Sequence, residues 1–325
     1  EYCLYIGIPF CPTRCLYCSF TSYPIGVYKD KVDAYLDTME KEMEYIAESY
    51  TEKKLASIYI GGGTPSSISA EQMDRLCSMI EKHFDLSQVR EYTIEAGRPD
   101  STTADKLQVM KAHGVDRISI NPQTMNGETL KLIGRAHTPE QAEEAFMRAR
   151  EAGFDNINMD LIVGLPGEDA EMVKRTLEKV KKLAPESLTV HTLAIKRAAH
   201  LKQEMDKYSF AGDVDEQLSL VGQAAEELGL APYYLYRQKN MAGNLENVGY
   251  ARHGLECLYN ILIMEERTDI IGIGAGSSSK LIRREGDLDP VTGNRIDRVE
   301  NCKSVDDYIA RIDEMIDRKK QAFAK

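Results

Sequence analysis

The stretch Ile8-Pro9-Phe10-Cys11-Pro12-Thr13-Arg14-Cys15-Leu16-Tyr17-Cys18-Ser19-Phe20 places three cysteines at the spacing C-x3-C-x2-C, in a loop that follows an apolar segment. Three thiolates at this spacing can bind three irons of one cuboidal [4Fe-4S] cluster and leave the fourth iron without a protein ligand. We therefore predict Cys11, Cys15 and Cys18 as cluster ligands, with the open iron as the place where chemistry can occur.

Three other roles are possible for these cysteines: ligands of a zinc ion, disulfide partners or buried free thiols. A zinc site usually takes four ligands from two C-x2-C pairs, whereas the remaining cysteines stand singly, at Cys3, Cys77, Cys257 and Cys302. Disulfides are disfavoured because seven cysteines is an odd number and nothing resembles a secretory signal. Buried thiols would suit Cys77 and Cys257, but not three cysteines crowded beside Pro12 and Arg14.

The cysteine loop, with Tyr17 directly before its last cysteine, resembles the signature of the radical S-adenosylmethionine (SAM) superfamily. The longer string Tyr5-Ile6-Gly7-Ile8-Pro9-Phe10-Cys11 is similar to the branch that contains oxygen-independent coproporphyrinogen III oxidase. That branch also holds a haem chaperone and a coproporphyrinogen-dehydrogenase-like group, the HemZ type. The resemblance implies a [4Fe-4S] cluster and SAM as cofactors, and similarity to the oxidase allows a second SAM.

Composition limits the class of protein. The chain has 325 residues, of which 42% are hydrophobic, enough for one catalytic domain and a smaller appendage. Its net charge of −11 disfavours nucleic acid as a partner, and no apolar run approaches the roughly 20 residues that span a bilayer. We expect a cytoplasmic protein, where thiolates stay reduced. Because the chain enters a strand directly at Glu1, we also expect it to be a piece of a longer protein.

Strand and helix patterns alternate over the first 200 residues, which predicts an α/β fold with a parallel sheet. The predicted strands cover residues 3–9, 55–60, 92–95, 117–121, 156–163 and 187–193. The predicted helices cover residues 31–50, 69–83, 103–113, 139–152 and 169–183. Periodicity alone allows either an open doubly wound sheet or a partial barrel.

The positions of unusual residues favour a partial (β/α)6 barrel. The cysteine loop, the Gly61-Gly62-Gly63 turn, and polar residues such as Glu95, Asp160 and His191 all follow the ends of successive predicted strands. Catalytic groups of parallel barrels collect at that face. We predict a radical SAM core over residues 1–200 and a smaller α+β cap over 201–325 that extends the sheet. In the cap we predict helices at 213–229 and 305–318 and strands at 233–237 and 269–274.

The resemblance also implies which residues contact SAM. In the family, the glycine-rich turn holds the amino group of the methionine moiety of SAM. A tight turn that binds no ligand is the competing interpretation of the three glycines. At one further matching position, the family has a protein carboxylate near SAM. Other matching positions contact the ribose, the carboxylate and the adenine of SAM. The corresponding residues here are Tyr5, Tyr17, Gly62, Gly63, Thr64, Glu95, Gln123, Arg135, Asp160 and Ile162.

The reaction implied by the resemblance starts from one-electron cleavage of SAM, whose 5′-deoxyadenosyl radical abstracts a hydrogen, and in the oxidase a propionate then loses CO2. One residue departs from the oxidase, which carries a further cysteine where this chain has Phe20. A haem chaperone of the same fold is the alternative, although its H-N-x-x-Y-W string is absent and the chain has no Trp. SAM-dependent haem modification is a third hypothesis.

The segment from Tyr233 to Tyr250 resembles the coproporphyrinogen-dehydrogenase-like group. Aromatic residues there could stack on a tetrapyrrole substrate while Arg237 and Lys239 pair with its propionates. An edge strand followed by a polar loop is the competing interpretation. The resemblance further implies an electron donor such as flavodoxin or ferredoxin. His191, His200 and His253 could be haem ligands, but a structural role fits each of them better.

Overall fold

A computed structural model describes residues 1–18, 22–193, 212–236, 247–283, 288, 293 and 295–324. Its main feature is an eleven-stranded sheet, and a two-stranded ribbon lies beside the cysteine loop. The strands are β1 Tyr2–Ile8, β2 Phe10–Cys11, β3 Tyr23–Pro24, β4 Leu55–Gly62, β5 Glu91–Gly97, β6 Arg117–Gln123, β7 Ile157–Val163, β8 Ser187–Thr192, β9 Ala231–Tyr236, β10 Asn247–Ala251, β11 Asp269–Ile273, β12 Ser278–Ile282 and β13 Ile296–Glu300.

Helices pack against the sheet. They are α1 Ile25–Tyr28, α2 Val32–Ser49, α3 Ala70–His83, α4 Ala104–Ala112, α5 Gly127–Leu132, α6 Pro139–Glu151, α7 Ala170–Leu183, α8 Val214–Glu227, α9 Leu258–Glu265, α10 Val305–Ala310 and α11 Ile312–Phe323. Capping boxes begin two of them, with Ser69 and Gln72 at α3 and Thr138 and Gln141 at α6. None of the described helices is long and apolar enough to cross a membrane.

The strand order is β13-β12-β11-β1-β4-β5-β6-β7-β8-β10-β9. The strands from β11 to β8 in this order pair in parallel, whereas β12, β13, β10 and β9 are antiparallel additions at the two edges. The six strands predicted in the first 200 residues and the strand predicted over 269–274 form this seven-stranded parallel core, so the α/β prediction is confirmed. Segments from the C-terminal part lengthen the sheet at both edges, while the division of the chain at residue 200 stays a prediction.

The sheet curves into a partial barrel. Tyr5 on β1 and His191 on β8 line the same cavity, although five strand steps separate them. In a flat sheet, strands spaced about 4.8 Å apart would put these residues about 24 Å from one another. The shared cavity is therefore consistent with the predicted barrel, with its concave face directed at the cavity.

Helix α9 closes the N-terminal end of the barrel. The buried carboxylate of Glu91, at the start of β5, accepts hydrogen bonds from the backbone N–H groups of Leu258 at 2.6 Å and Tyr259 at 3.2 Å. The ring of Tyr259 stacks on that of Tyr59 at a centroid distance of 4.5 Å. This helix and the short elements α5, β10, β12 and β13 are not among the predicted elements, and the predicted helix over 305–318 is divided at Arg311.

Candidate active site

A cavity of about 320 Å³ opens at the C-terminal ends of the parallel strands. All of the predicted cluster and SAM residues except Ile162 line it. The complete lining consists of Tyr5, Cys11, Thr13, Cys15, Tyr17, Cys18, Ser22, Gly62, Gly63, Thr64, Glu95, Gly97, Arg98, Asn121, Gln123, Arg135, Asp160, His191, Thr192, Leu193 and Asn247. The residues that line this one cavity thus come from positions between Tyr5 and Asn247 of the chain.

The cysteine loop is held by backbone contacts on both sides. β2 pairs with β3, which aligns Cys11 with Pro24. Further along, the N–H of Leu16 donates to the carbonyl of Ile133 at 3.0 Å, and the N–H of Cys18 donates to the carbonyl of Cys15 at 3.2 Å. Backbone pairing therefore connects the cysteine loop to the segments around Pro24 and Ile133.

The donor set suits a cluster better than a single ion. Among the described residues, no three His, Cys, Asp or Glu side chains are arranged to hold one metal ion. Cysteines on a cuboidal cluster bind different irons, so they need only face the same cavity, as Cys11, Cys15 and Cys18 do. Burial raises the pKa of Cys11 to about 11, and the nearby Cys18 and Cys15 add to the rise. Iron would replace that proton, because the thiolate is the ligand.

The glycine-rich turn packs directly against the cysteine loop. A Cβ on Gly63 would lie 2.7 Å from the carbonyl oxygen of Phe10 and 2.9 Å from the carbonyl carbon of Pro9, which is too close for a side chain. It would also lie 3.0 Å from the sulfur of Cys11. Gly62 adopts a φ of 112°, which favours glycine. The Thr64 hydroxyl donates to the sulfur of Cys11 at 3.4 Å. Close approach to the cysteine loop therefore explains these glycines whether or not they also contact SAM.

The carboxyl group of Glu95 has a pKa well above its usual range. Burial raises its pKa to about 7, and the neighbouring Asp160 adds to the rise. The hydroxyl of Tyr59 donates to its Oε1 at 2.5 Å, which favours the charged form. A carboxyl that changes charge near neutral pH and faces the cavity is suited to bind a cationic group.

Two further predicted residues carry buried polar atoms without a hydrogen-bond partner in the described part of the chain. These atoms are Oε1 of Gln123 and Nε of Arg135. Another nitrogen of Arg135 donates to the carbonyl of Asn121. An unpaired buried polar atom costs about 1–3 kcal/mol, so two of them lining one cavity indicate a polar ligand there.

A row of polar side chains crosses β6, β7 and β8 inside the barrel. Asn158 donates to Asp160 Oδ1 at 2.6 Å and to the Ser119 hydroxyl at 2.9 Å, and it accepts from the Thr189 hydroxyl at 3.1 Å. Nε2 of His191 lies 3.7 Å from Oδ2 of Asp160. Asp160 is therefore held in one orientation toward the cavity.

Some predicted residues lie elsewhere. Ile162 packs in an apolar cluster with Leu130, Ile133, Leu165 and Leu193, beside Tyr17, so its contact with adenine stays a prediction. Arg237, Lys239 and His200 lie outside the described residues. His253 is fully exposed and does not line the cavity.

Arg98 is only 2% exposed and lies at the cavity wall, although no sequence pattern singled it out. Its guanidinium contacts Asp100 and the cysteine loop. The segment Arg98-Pro99-Asp100 offered a signal, since an arginine and an aspartate two residues apart beyond a buried strand can pair. Thr13, Ser22, Thr192 and Asn247 were likewise not predicted.

Comparison with known proteins places this geometry in context. The sequence profile of the radical SAM superfamily matches residues 5–180. The oxygen-independent coproporphyrinogen-III oxidase-like protein HemZ of Bacillus subtilis (strain 168) is 47% identical over 324 residues, which covers 98% of this chain. This chain spans 63% of the length of that relative.

Two further proteins show the breadth of the similarity. The haem chaperone HemW of Lactococcus lactis subsp. lactis (strain IL1403) is 33% identical over 278 residues, covering 85% of this chain and 69% of the relative. The crystal structure of coproporphyrinogen III oxidase (HemN) from Escherichia coli superposes with a TM-score of 0.73 at 24% identity, covering 97% of this chain and 70% of that one. The structural similarity concerns the fold alone.

Proposed function

Since this chain belongs to the radical SAM superfamily, in the branch of coproporphyrinogen III oxidase-like proteins, we propose that it oxidatively decarboxylates propionates of coproporphyrinogen III to vinyl groups, or carries out a related tetrapyrrole reaction. Membership in the superfamily implies a [4Fe-4S] cluster and SAM. The observation that carries the proposal is the single cavity lined by the three cysteines of the loop and by the predicted SAM residues.

The cluster and SAM supply one-electron cleavage chemistry when they are bound. The protein residues hold and orient these groups. Cys11, Cys15 and Cys18 would bind the cluster, the carboxylate of Glu95 would pair with the positive charge of SAM, and Arg135 would pair with its carboxylate.

The reaction and its substrate remain proposals because this chain spans 63% of its HemZ relative. The similarity to haem chaperones favours haem binding without turnover as a second candidate function. We infer that Arg237 and Lys239 contact the tetrapyrrole in either case. The electron donor, a protein such as flavodoxin or ferredoxin, is likewise a proposal.

An anaerobic assay separates the two candidates. The reconstituted protein is incubated with SAM, a strong reductant, coproporphyrinogen III and an electron acceptor, and 5′-deoxyadenosine, CO2 and vinyl-bearing product are quantified. Product that rises together with 5′-deoxyadenosine supports the decarboxylase. Stoichiometric haem capture without substrate-dependent release of methionine contradicts it and supports the chaperone.

The cluster ligands can be tested separately. We predict that Cys15→Ala loses cluster binding, since an alanine supplies no thiolate to one of the three irons. Iron and acid-labile sulfide per chain are measured after reconstitution. Cys302→Ala serves as the control, because Cys302 is not in the cavity lining and should leave both contents at the wild-type level. A full complement of iron and sulfide in Cys15→Ala would contradict the ligand assignment.

A further inference from the structure

We propose that Arg98 is a positioning residue for the [4Fe-4S] cluster, which holds the cysteine loop and donates a hydrogen bond to the sulfur of Cys15, and thereby raises the reduction potential of the cluster. This inference rests on the proposed function, because it takes Cys11, Cys15 and Cys18 as the cluster ligands.

The contacts between Arg98 and the loop all involve one nitrogen of the guanidinium. Nη1 donates to the hydroxyl of Thr13 at 2.7 Å and to its carbonyl oxygen at 3.3 Å. The same nitrogen lies 3.8 Å from Sγ of Cys15, within hydrogen-bonding distance of a sulfur, so the two hydrogens of Nη1 are shared among three acceptors. Since Arg98 is 2% exposed, these bonds form in a poorly solvated environment, where they are electrostatically stronger than in water.

The other side of the guanidinium is clamped by Asp100. Nε donates to Oδ1 and Nη2 donates to Oδ2, both at 2.9 Å, which is the bidentate geometry of a strong arginine–carboxylate pair. The short turn Pro99–Ser101, which starts directly after Arg98, brings Asp100 back beside it. Although burial opposes ionisation, the guanidinium holds the pKa of Asp100 below its usual range. The clamp fixes the plane of Arg98 and directs Nη1 at the loop.

The contacts of Arg98 with Asp100 and Thr13 could be purely structural. Its contact with the sulfur of Cys15 also affects the chemistry of the cluster. Reduction adds one negative charge to the cluster. A buried cation that donates a hydrogen bond to a ligand sulfur stabilises the reduced form more than the oxidised form, which raises the potential. Arg135 also lies beside Cys15, but its position matches the family's contact with the SAM carboxylate. Because Arg135 is unchanged in every variant tested, a difference in potential between the variants reports on Arg98.

The test is a potentiometric titration of the reconstituted protein without SAM, followed by electron paramagnetic resonance of the reduced cluster. Arg98→Gln removes the charge, and Arg98→Lys keeps the charge but cannot hold Asp100 bidentately while donating to Cys15. Arg90→Gln is the matched control, because Arg90 lies at the opposite end of β5 and pairs with Glu1 on the surface. Samples are compared at equal iron and sulfide content.

At the potential that half-reduces the wild-type cluster, we expect the ratio of reduced to oxidised cluster to fall about tenfold in Arg98→Gln. For a one-electron couple this corresponds to a shift of about 59 mV to lower potential. Arg98→Lys should shift in the same direction by less, and Arg90→Gln should not shift.

A wild-type potential in Arg98→Gln overturns the inference. If that variant retains no cluster, a wild-type potential in Arg98→Lys overturns it instead. Failure of the wild-type protein to bind a cluster would contradict the proposed function, whereas a bound cluster whose potential is insensitive to Arg98 contradicts only this inference.

Discussion

At the scale of single residues, Glu95 and Tyr59 form a pair whose charge changes near neutral pH. The pKa of Glu95 is raised to about 7 by burial, while the hydrogen bond from Tyr59 acts in the opposite direction because it favours the carboxylate. If the carboxylate pairs with SAM, which is cationic, the affinity for SAM rises as the pH increases through about 7.

We predict that Tyr59→Phe moves the midpoint of this pH dependence upward. Loss of a hydrogen bond to a charged group removes about 1.5–3 kcal/mol, which corresponds to a shift of about one to two pH units. The dissociation constant of SAM is measured by anaerobic equilibrium dialysis between pH 6 and 9. Tyr45→Phe serves as the control, because Tyr45 in α2 stacks on Phe323 and does not line the cavity. An unchanged or lower midpoint in Tyr59→Phe would show that Tyr59 does not set the ionisation of Glu95.

At the scale of secondary-structure elements, the end of α7 carries an avoidable strain. Ala184, directly after the helix, adopts the left-handed conformation with φ 51° and ψ 59°, and its N–H donates to the carbonyl of Val180 at 3.0 Å. Glycine is preferred at such a position because a Cβ is strained there. The exposed side chain of Ala184 contributes little packing in return.

We predict that Ala184→Gly increases the free energy of unfolding by about 0.5–1 kcal/mol, since the relief of strain exceeds the added entropy of the unfolded chain. The matched control is Ala152→Gly at the end of α6, where φ is −73° and glycine should destabilise by about 0.5–1 kcal/mol. Urea unfolding followed by circular dichroism measures both variants. Equal effects of the same sign would refute the interpretation from backbone conformation.

At the scale of the whole molecule, a buried ion pair joins the C-terminal helix α11 to helix α2. Nζ of Lys319 in α11 lies 2.6 Å from Glu42 of α2, and both side chains are fully buried. The carboxylate also accepts hydrogen bonds from the Tyr308 hydroxyl at 2.5 Å and from the N–H of Gly274 at 3.0 Å. The C-terminal helices are thereby fastened to the loop that follows β11, the neighbour of β1 in the sheet.

Removing one partner of this pair leaves an uncompensated buried charge. We predict that Lys319→Met lowers the free energy of unfolding by about 3–5 kcal/mol. The double variant Glu42→Gln with Lys319→Met removes both charges and should recover a large part of the loss. Thermal unfolding and limited proteolysis near the C-terminus measure the effect. A Lys319→Met variant as stable as the wild type, or a double variant no better than the single one, would contradict the prediction.

Several features of the protein could be predicted from the sequence because they depend on local patterns. The alternation of strands and helices follows from hydrophobic periodicity, and it placed six of the seven parallel strands correctly, β1 and β4 to β8. The cysteine spacing lies within eight residues, so it could be read without knowledge of the fold. Most predicted SAM residues line the cavity because the ends of parallel strands meet at one face.

Other features were decided only by the tertiary structure. The short helices α5 and α9 and the edge strands β12 and β13 contain too few residues for a clear period. Arg98 reaches Thr13 across 85 residues of sequence, and Glu91 reaches Leu258 across 167. Such contacts depend on the register and curvature of the sheet, which bring distant segments together. Local sequence patterns carry no information about which distant segments come into contact. The contact of Arg98 with the cysteine loop and the contact of Glu91 with α9 were therefore found only in the tertiary structure.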